Sequence, residues 1–106
     1  TIFDAVFEGV MITDSSGIIR LINKTAQRLH MGGEIPAIGV PLSDCSPHDW
    51  VEVKRVLASG QAQTGRTLVL PEAEVLVNRL PLFSHEKVIG VVSTAARRLP
   101  ASARRT

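Results

Sequence analysis

The chain of 106 residues has no tyrosine, one tryptophan and three phenylalanines, so aromatics reach only 4%. Proteins that read single-stranded nucleic acid stack bases on aromatic rings, and this chain offers few. Its one cysteine, Cys45, excludes an internal disulfide and suits a reducing compartment. We therefore expect a cytoplasmic location. No apolar run approaches the roughly 20 residues of a membrane-spanning helix, and no basic-then-apolar signal segment opens the chain. What is present is the 44% apolar and 21% charged composition of an ordinary globular domain, long enough for one modest core.

A basic excess is also missing from the body of the chain. Of 12 basic residues, Arg97, Arg98, Arg104 and Arg105 fall in the last ten positions, which hold no acid; the remaining eight face 10 acidic residues. A nucleic-acid footprint is a basic stripe on a folded face, and none is visible, so no direct nucleic-acid contact is expected. Residues 97–106 read as a basic linker or tail. Residues 1–96 read as the domain, with residues 1–8 as an N-terminal cap helix on which Ile2, Phe3, Val6 and Phe7 cluster.

FEGVMITDSSGIIRLIN, from Phe7 to Asn23, places two apolar bursts around Asp14-Ser15-Ser16-Gly17. Val10 to Asp14 and Ile18 to Ile22 read as paired strands, with an acceptor side chain opening the turn and a glycine closing it. Alternation puts Ile19, Leu21 and Asn23 on one side of the return strand, and Ile18, Arg20 and Ile22 on the other. Asn23 ends that strand and caps the helix that follows, with Ala26 and Leu29 on its buried side and Gly32-Gly33 as its stop. EIPAIGVPLSDCSP holds too many prolines and glycines for a long helix.

SPHDWVEVKRVLASG reads as the next helix. Ser46 is its cap, Pro47 its first residue, and Asp49, three past the cap, completes a capping box. Trp50, Val53 and Leu57 make its buried stripe, and Gly60 ends it. Three β-rich runs follow: Arg66 to Leu70, Val75 to Leu82 and Val88 to Thr94, separated by Pro71-Glu72-Ala73 and by Ser84-His85-Glu86-Lys87. Gly90, inside the last run, marks a close approach of another segment. The order predicts an α+β domain. Five antiparallel strands carry helices inserted between strands 2 and 3, packed on one sheet face.

With that order laid out, the chain resembles a PAS domain over residues 1–94. FEGVMITDSSGIIRLINKTAQRL is similar to the family's opening hairpin, Asp-x-x-Gly turn and Asn-Ala-Ala-type helix. IGVPLSDCSPHDWVEVKRVLASGQAQ is similar to its middle segment, and VLVNRLPLFSHEKVIGVVSTA to its closing hairpin. The wording of the last piece most resembles bacterial signal-transduction PAS domains. These stand ahead of the ATPase in sigma-54-dependent transcription activators, or within sensor histidine kinases of two-component systems. The resemblance implies the PAS fold, a small internal pocket, and a homodimer that passes a signal to an output domain of the same chain. No phosphate-binding glycine loop or helix-turn-helix is present, so the sequence reads as the sensory module alone. It departs from many PAS domains at the end of the last strand. An Asp-x-Thr triplet is usual there, but Ser93-Thr94 runs into Ala95, Ala96, Arg97 and Arg98.

Two settings follow. In the first, the chain is the PAS sensory domain of a bacterial transcriptional regulator, sensing a signal or small ligand and dimerising to control its output. In the alternative, it is a ligand-free dimerisation scaffold within a sensor histidine kinase. No acid–base pair or oxyanion motif converges, so no enzyme activity is expected.

The candidate residues are few. Asn78 and Arg79 are neighbours on one strand, so one of them must face the helices and the pocket, where a polar group needs a partner. Asn23 and Thr13 have similar standing, and Trp50 is either a core anchor or a stacking surface; these five are the ligand-pocket candidates. Ile2, Phe3, Val6, Phe7 and Met11 are the dimer-interface candidates. Cys45 and His48 stand three apart in DCSPHD. His48 has a place at the helix start that needs no haem, and a thiol near a helix N-terminus is mildly acidified without catalytic purpose. The flavin-binding Asn-Cys-Arg-Phe-Leu-Gln run is missing, and His30, His48 and His85 lack metal-ligand spacing. Neither haem, flavin nor metal is expected.

Overall fold

The computed structural model describes residues 8–31, 38–70 and 73–98. Residues 1–7, the Gly32-Gly33 helix stop and the tail beyond residue 98 lie outside them. So do Ile2, Phe3, Val6 and Phe7.

Asp14 organises the first turn. Its Oδ1 accepts hydrogen bonds from the N–H groups of Ser16 (2.9 Å) and Ile18 (3.0 Å), and its Oδ2 accepts one from Arg20 Nε at 2.8 Å. Burial works to raise the Asp14 pKa, but the bonds from Ile18, Arg20 and Ser16 outweigh it and hold the carboxyl below its ordinary 3.8. Gly17 adopts φ 82°, a conformation that costs glycine little, and a Cβ there would collide with the Trp50 ring. The turn therefore packs against the tryptophan.

The turn joins β1 (Gly9–Asp14) to β2 (Ile19–Ile22). Alternation fails on β2, where Ile19 and Ile22 are both buried while Arg20 and Leu21 are exposed. The cause is a register shift between Ile12 and Thr13, which pairs Leu21 with Ile12 and Ile19 with Thr13 and leaves Arg20 as the extra residue. Asn23 then caps α1 (Lys24–Met31), its Oδ1 accepting the Ala26 N–H at 2.9 Å.

A single helical turn, α2 (Leu42–Cys45), leads into α3 (Pro47–Ser59). The capping box expected at α3 does not form. The Ser46 N–H, which the box needs, instead donates to the Leu42 carbonyl (2.8 Å) to close α2, and the Ser46 side chain makes no cap bond. Cys45 accordingly ends α2 and is no helix N-terminal thiol. Burial, and then the charge of Asp44, push its pKa up, contrary to the mild acidification expected.

The remaining strands are longer than the sequence runs suggested: β3 (Gln63–Leu70), β4 (Ala73–Ser84) and β5 (Lys87–Arg98). Backbone pairing extends them past the apolar residues, since β5 stays in register with β4 as far as Glu74 opposite Arg98. The last strand thus runs two residues beyond the expected domain end at 96. The turn between β4 and β5 has φ of 51° at His85 and 68° at Glu86. That geometry is the usual one for two-residue hairpins, and it is strained in residues other than glycine.

All five strands form one antiparallel sheet in the order β2-β1-β5-β4-β3. At its centre Gly90 faces β1 so closely that a Cβ would strike the Thr13 carbonyl oxygen. The close approach expected of this glycine is therefore present. One sheet face carries the helices. Met11, Ile19, Ile22 and Val91 meet Ala26, Leu42, Val53 and Val56 there in one core cluster, where a buried aliphatic side chain contributes about 1.5–3 kcal/mol. Val75, Val77 and Ala95 form a second, smaller cluster. Strand register places Arg79 and Ser93, both buried, between the two.

Met11 is 1% exposed within the main core, which corrects its assignment to a dimer interface. Alternation on β1 turns Ile12 outward instead. There it joins Leu21, Val92 and Leu80, consecutive register partners across four strands, in an apolar row on the face away from the helices.

Candidate functional site

Of the adjacent pair on β4, Arg79 turns inward. Its residue is 6% exposed, and burying a guanidinium requires partners. Asp49, in the first turn of α3 and itself 5% exposed, provides the charge. Arg79 donates from Nε (3.0 Å) and Nη2 (2.5 Å) to the same oxygen, Asp49 Oδ1. Its Nη1 donates to Gln63 Oε1 on β3 at 3.2 Å. The pair ties the start of α3 to the inner face of the sheet.

An open cleft of about 260 Å³ lies over this pair, between the start of α3 and strands β3 and β4. Asp49, Arg79 and Val77 line it, with Ser46 and His48 on the helical side and Arg66 and Thr67 on the strand side. Glu52 also reaches the cleft, but both its carboxylate oxygens accept bonds from Arg55 Nη1, at 2.9 and 3.2 Å. The surface is rich in hydrogen-bonding groups around a buried charge pair. It can recognise a small polar molecule through orientation.

Four other pocket candidates do not line this cleft. Asn78 points to the opposite face, where its Oδ1 accepts the Gly65 N–H at 2.8 Å and anchors the irregular start of β3. Asn23 is fully buried, and its carboxamide serves the backbone: Oδ1 accepts from the Val10 N–H (3.0 Å) and caps α1, while Nδ2 donates to the Glu8 carbonyl (2.9 Å). Trp50 is half-buried against the Gly17 turn, with Lys54 Nζ 5.7 Å from its ring centre. Thr13 is buried on the inner face of β1. Its hydroxyl and that of Ser93 have no hydrogen-bond partner among the described residues.

Sequence reasoning missed Asp49, which matched a helix cap, and the cleft residues Arg66 and Thr67. The buried arginine was the available signal. One of Asn78 and Arg79 had to face inward, and an inward arginine demands a carboxylate from the helical layer. His48, weighed as the partner of Cys45 in a Cys–His pair or as a haem ligand, is exposed on the cleft's helical side.

No family model matches the chain. It is 31% identical over 93 residues to the sensor histidine kinase DcuS of Escherichia coli (strain K12), a match covering 85% of this chain and 17% of that protein. The same figures hold for DcuS of Shigella flexneri; the chain thus spans about a sixth of the length of these curated relatives. Among solved structures, it is similar to the PAS domain of Bordetella pertussis BvgS, with a TM-score of 0.72 and 14% identity, covering 97% of this chain and 85% of that one. The PAS domain of histidine kinase ThkA has a TM-score of 0.70 and 18% identity, covering 83% of this chain and 97% of that one. A PAS domain from Colwellia psychrerythraea has a TM-score of 0.65 and 21% identity, covering 91% of this chain and 90% of that one.

Proposed function

By its fold the chain is a PAS domain, and on that premise we propose that it is the sensory module of a bacterial sensor histidine kinase. The observation that carries the sensory part is the cleft over Arg79–Asp49, where a buried charge pair ties the start of α3 to the sheet beside an open binding surface. An occupant that alters this pair alters how α3 is held. β4 pairs along its length with β5, the last strand, so strain at Arg79 passes to its register partner Ser93 and onward along β5.

The kinase setting is favoured over the sigma-54-dependent activator by the likeness to DcuS, a sensor histidine kinase. The module itself performs no chemistry; it takes up a ligand in the cytoplasm and biases an output domain. It does so as a homodimer, because the row Leu21–Ile12–Val92–Leu80 leaves apolar surface on the outer sheet face that a two-fold contact would bury. It carries neither haem nor flavin. A purified chain transparent in the visible range fits this, and a Soret or flavin band contradicts it.

A chimera tests the kinase reading. The matching 93-residue segment of E. coli DcuS is replaced by this chain, and autophosphorylation is compared with that of a DcuS lacking the segment. Activity in the chimera that exceeds the deletion supports the proposal. A chimera that is folded and as inactive as the deletion contradicts it.

A further inference from the structure

We infer that the cleft takes a small organic anion, bearing a carboxylate or a phosphate, which is held by Arg79 at its base and Arg66 at its side and competes with Asp49 for the Arg79 guanidinium. This rests on the sensory reading above and gives its ligand a chemical class.

Each carboxylate in the cleft already has a cation: Asp49 has Arg79, and Glu52 has Arg55. Arg66 is exposed on β3, and among the described residues it has no carboxylate partner. The lining balances two arginines against two carboxylates, but Glu52 is turned to Arg55 outside the cleft and Asp49 to Arg79, which leaves Arg66 as the exposed cation there with no carboxylate partner among the described residues. Anions are the ligands that such a surface concentrates.

The geometry of the buried pair points the same way. Nε and Nη2 of Arg79 converge on a single oxygen of Asp49, and Nη1 is left with the neutral amide oxygen of Gln63. An arginine fork binds most strongly when two oxygens of one anion meet two of its N–H groups. An anion entering the cleft can offer that arrangement, or replace the Gln63 oxygen with a charged one. Ser46 and Thr67 line the same space, and the Ser46 side chain is not engaged as a helix cap. A volume of about 260 Å³ lies just below the usual range of small-molecule sites, which suits a metabolite of modest size.

The helix dipole at the first turn of α3 offsets part of the cost of releasing Asp49, and the anion's own bonds to Arg79 and Arg66 supply the rest. The anion would thus exchange one carboxylate for another at Arg79 and untether the start of α3. Binding and mechanical response are then a single event.

The test is a titration of the 106-residue chain, followed by NMR at the Nε–H resonances of Arg66 and Arg79. Sodium phosphate, sodium acetate and sodium malonate are each added against sodium chloride at matched ionic strength. Saturable shifts at both arginines with phosphate point to a phosphate ligand, and with acetate or malonate to a carboxylate; either supports the inference. Arg66→Gln, an exposed site that leaves the core intact, should weaken binding about tenfold, the loss of one charge-assisted contact. Asp49→Asn should tighten it by removing the competitor, and Arg66→Gln carries the test if that variant does not fold. Shifts no larger than those with chloride, or binding unchanged in Arg66→Gln, overturn the inference. A chain that binds none of these anions yet supports kinase output in the chimera loses this inference and keeps the sensory reading.

Discussion

Arg79 and Asp49 stand 30 positions apart in the chain and meet inside it, the arginine on the central part of β4 and the aspartate in the first turn of α3. Both are more than nine-tenths buried. Removing one partner strands the other's charge, so Arg79→Met or Asp49→Leu alone should lower stability by about 3–5 kcal/mol. The double replacement should cost much less, because it removes both desolvation penalties together. Urea denaturation of the three variants checks this. Ser46→Ala, with no side-chain cap bond to lose, should be near neutral beside them. Single and double variants of equal stability would contradict the pairing.

Gly90 tests the packing between the two central strands. Any side chain there meets the Thr13 carbonyl oxygen, which belongs to a paired strand and cannot swing aside. Gly90→Ala should lower stability by roughly 1–3 kcal/mol, and Gly90→Val by more. An unchanged melting temperature in the valine variant would place β1 and β5 further apart than described.

Asp14 predicts a pH dependence. Its folded pKa lies below the ordinary value of 3.8, because the bonds from Ile18, Arg20 and Ser16 outweigh burial. The sign follows: its contribution is fully present above 3.8 and is lost as pH falls through the lowered folded value. The stability gap between wild type and Asp14→Asn should therefore hold steady at neutral pH and close only in strong acid. A gap that closes between pH 7 and 5 would assign the titration to another group.

Dimerisation is read from the outer sheet face, where Leu21 and Leu80 are 39% and 43% exposed at the two ends of one apolar row. Analytical ultracentrifugation should find the wild-type chain dimeric, and Leu21→Glu with Leu80→Glu should shift it to monomer. Phe3→Glu with Val6→Glu, on the N-terminal segment, should do the same. A wild-type monomer at high concentration contradicts the homodimer.

Local chemistry made much of this fold legible. Asn23 follows an apolar run and precedes a helical one, and it caps that helix; Asp14 and Gly17 similarly announce their turn. Gly90 among β-branched residues signalled its close neighbour. Features that depend on distant partners stayed hidden. Met11 and Ile12 are equally apolar, so only the assembled sheet shows which one faces the core. Alternation misplaced Ile19 and Ile22 because a register shift leaves no mark in composition. Asp49 three residues after Ser46 matches a capping box, yet the Ser46 N–H is already taken by Leu42 and the carboxylate goes to a strand 30 residues away. The cleft was invisible for the same reason, since Arg66 and Thr67 join Ser46 and His48 only when β3 closes the sheet edge.

The most direct measurement is the autophosphorylation rate of the DcuS chimera with and without Asp49→Asn, a change that keeps side-chain shape and removes the charge on Arg79's partner. If the pair holds the module's signalling state, the rate should change by about fivefold or more, the scale of ordinary allosteric coupling, with the chimera still folded and dimeric. Equal rates in two folded, dimeric chimeras would contradict the claim that the signal passes through Arg79 and Asp49.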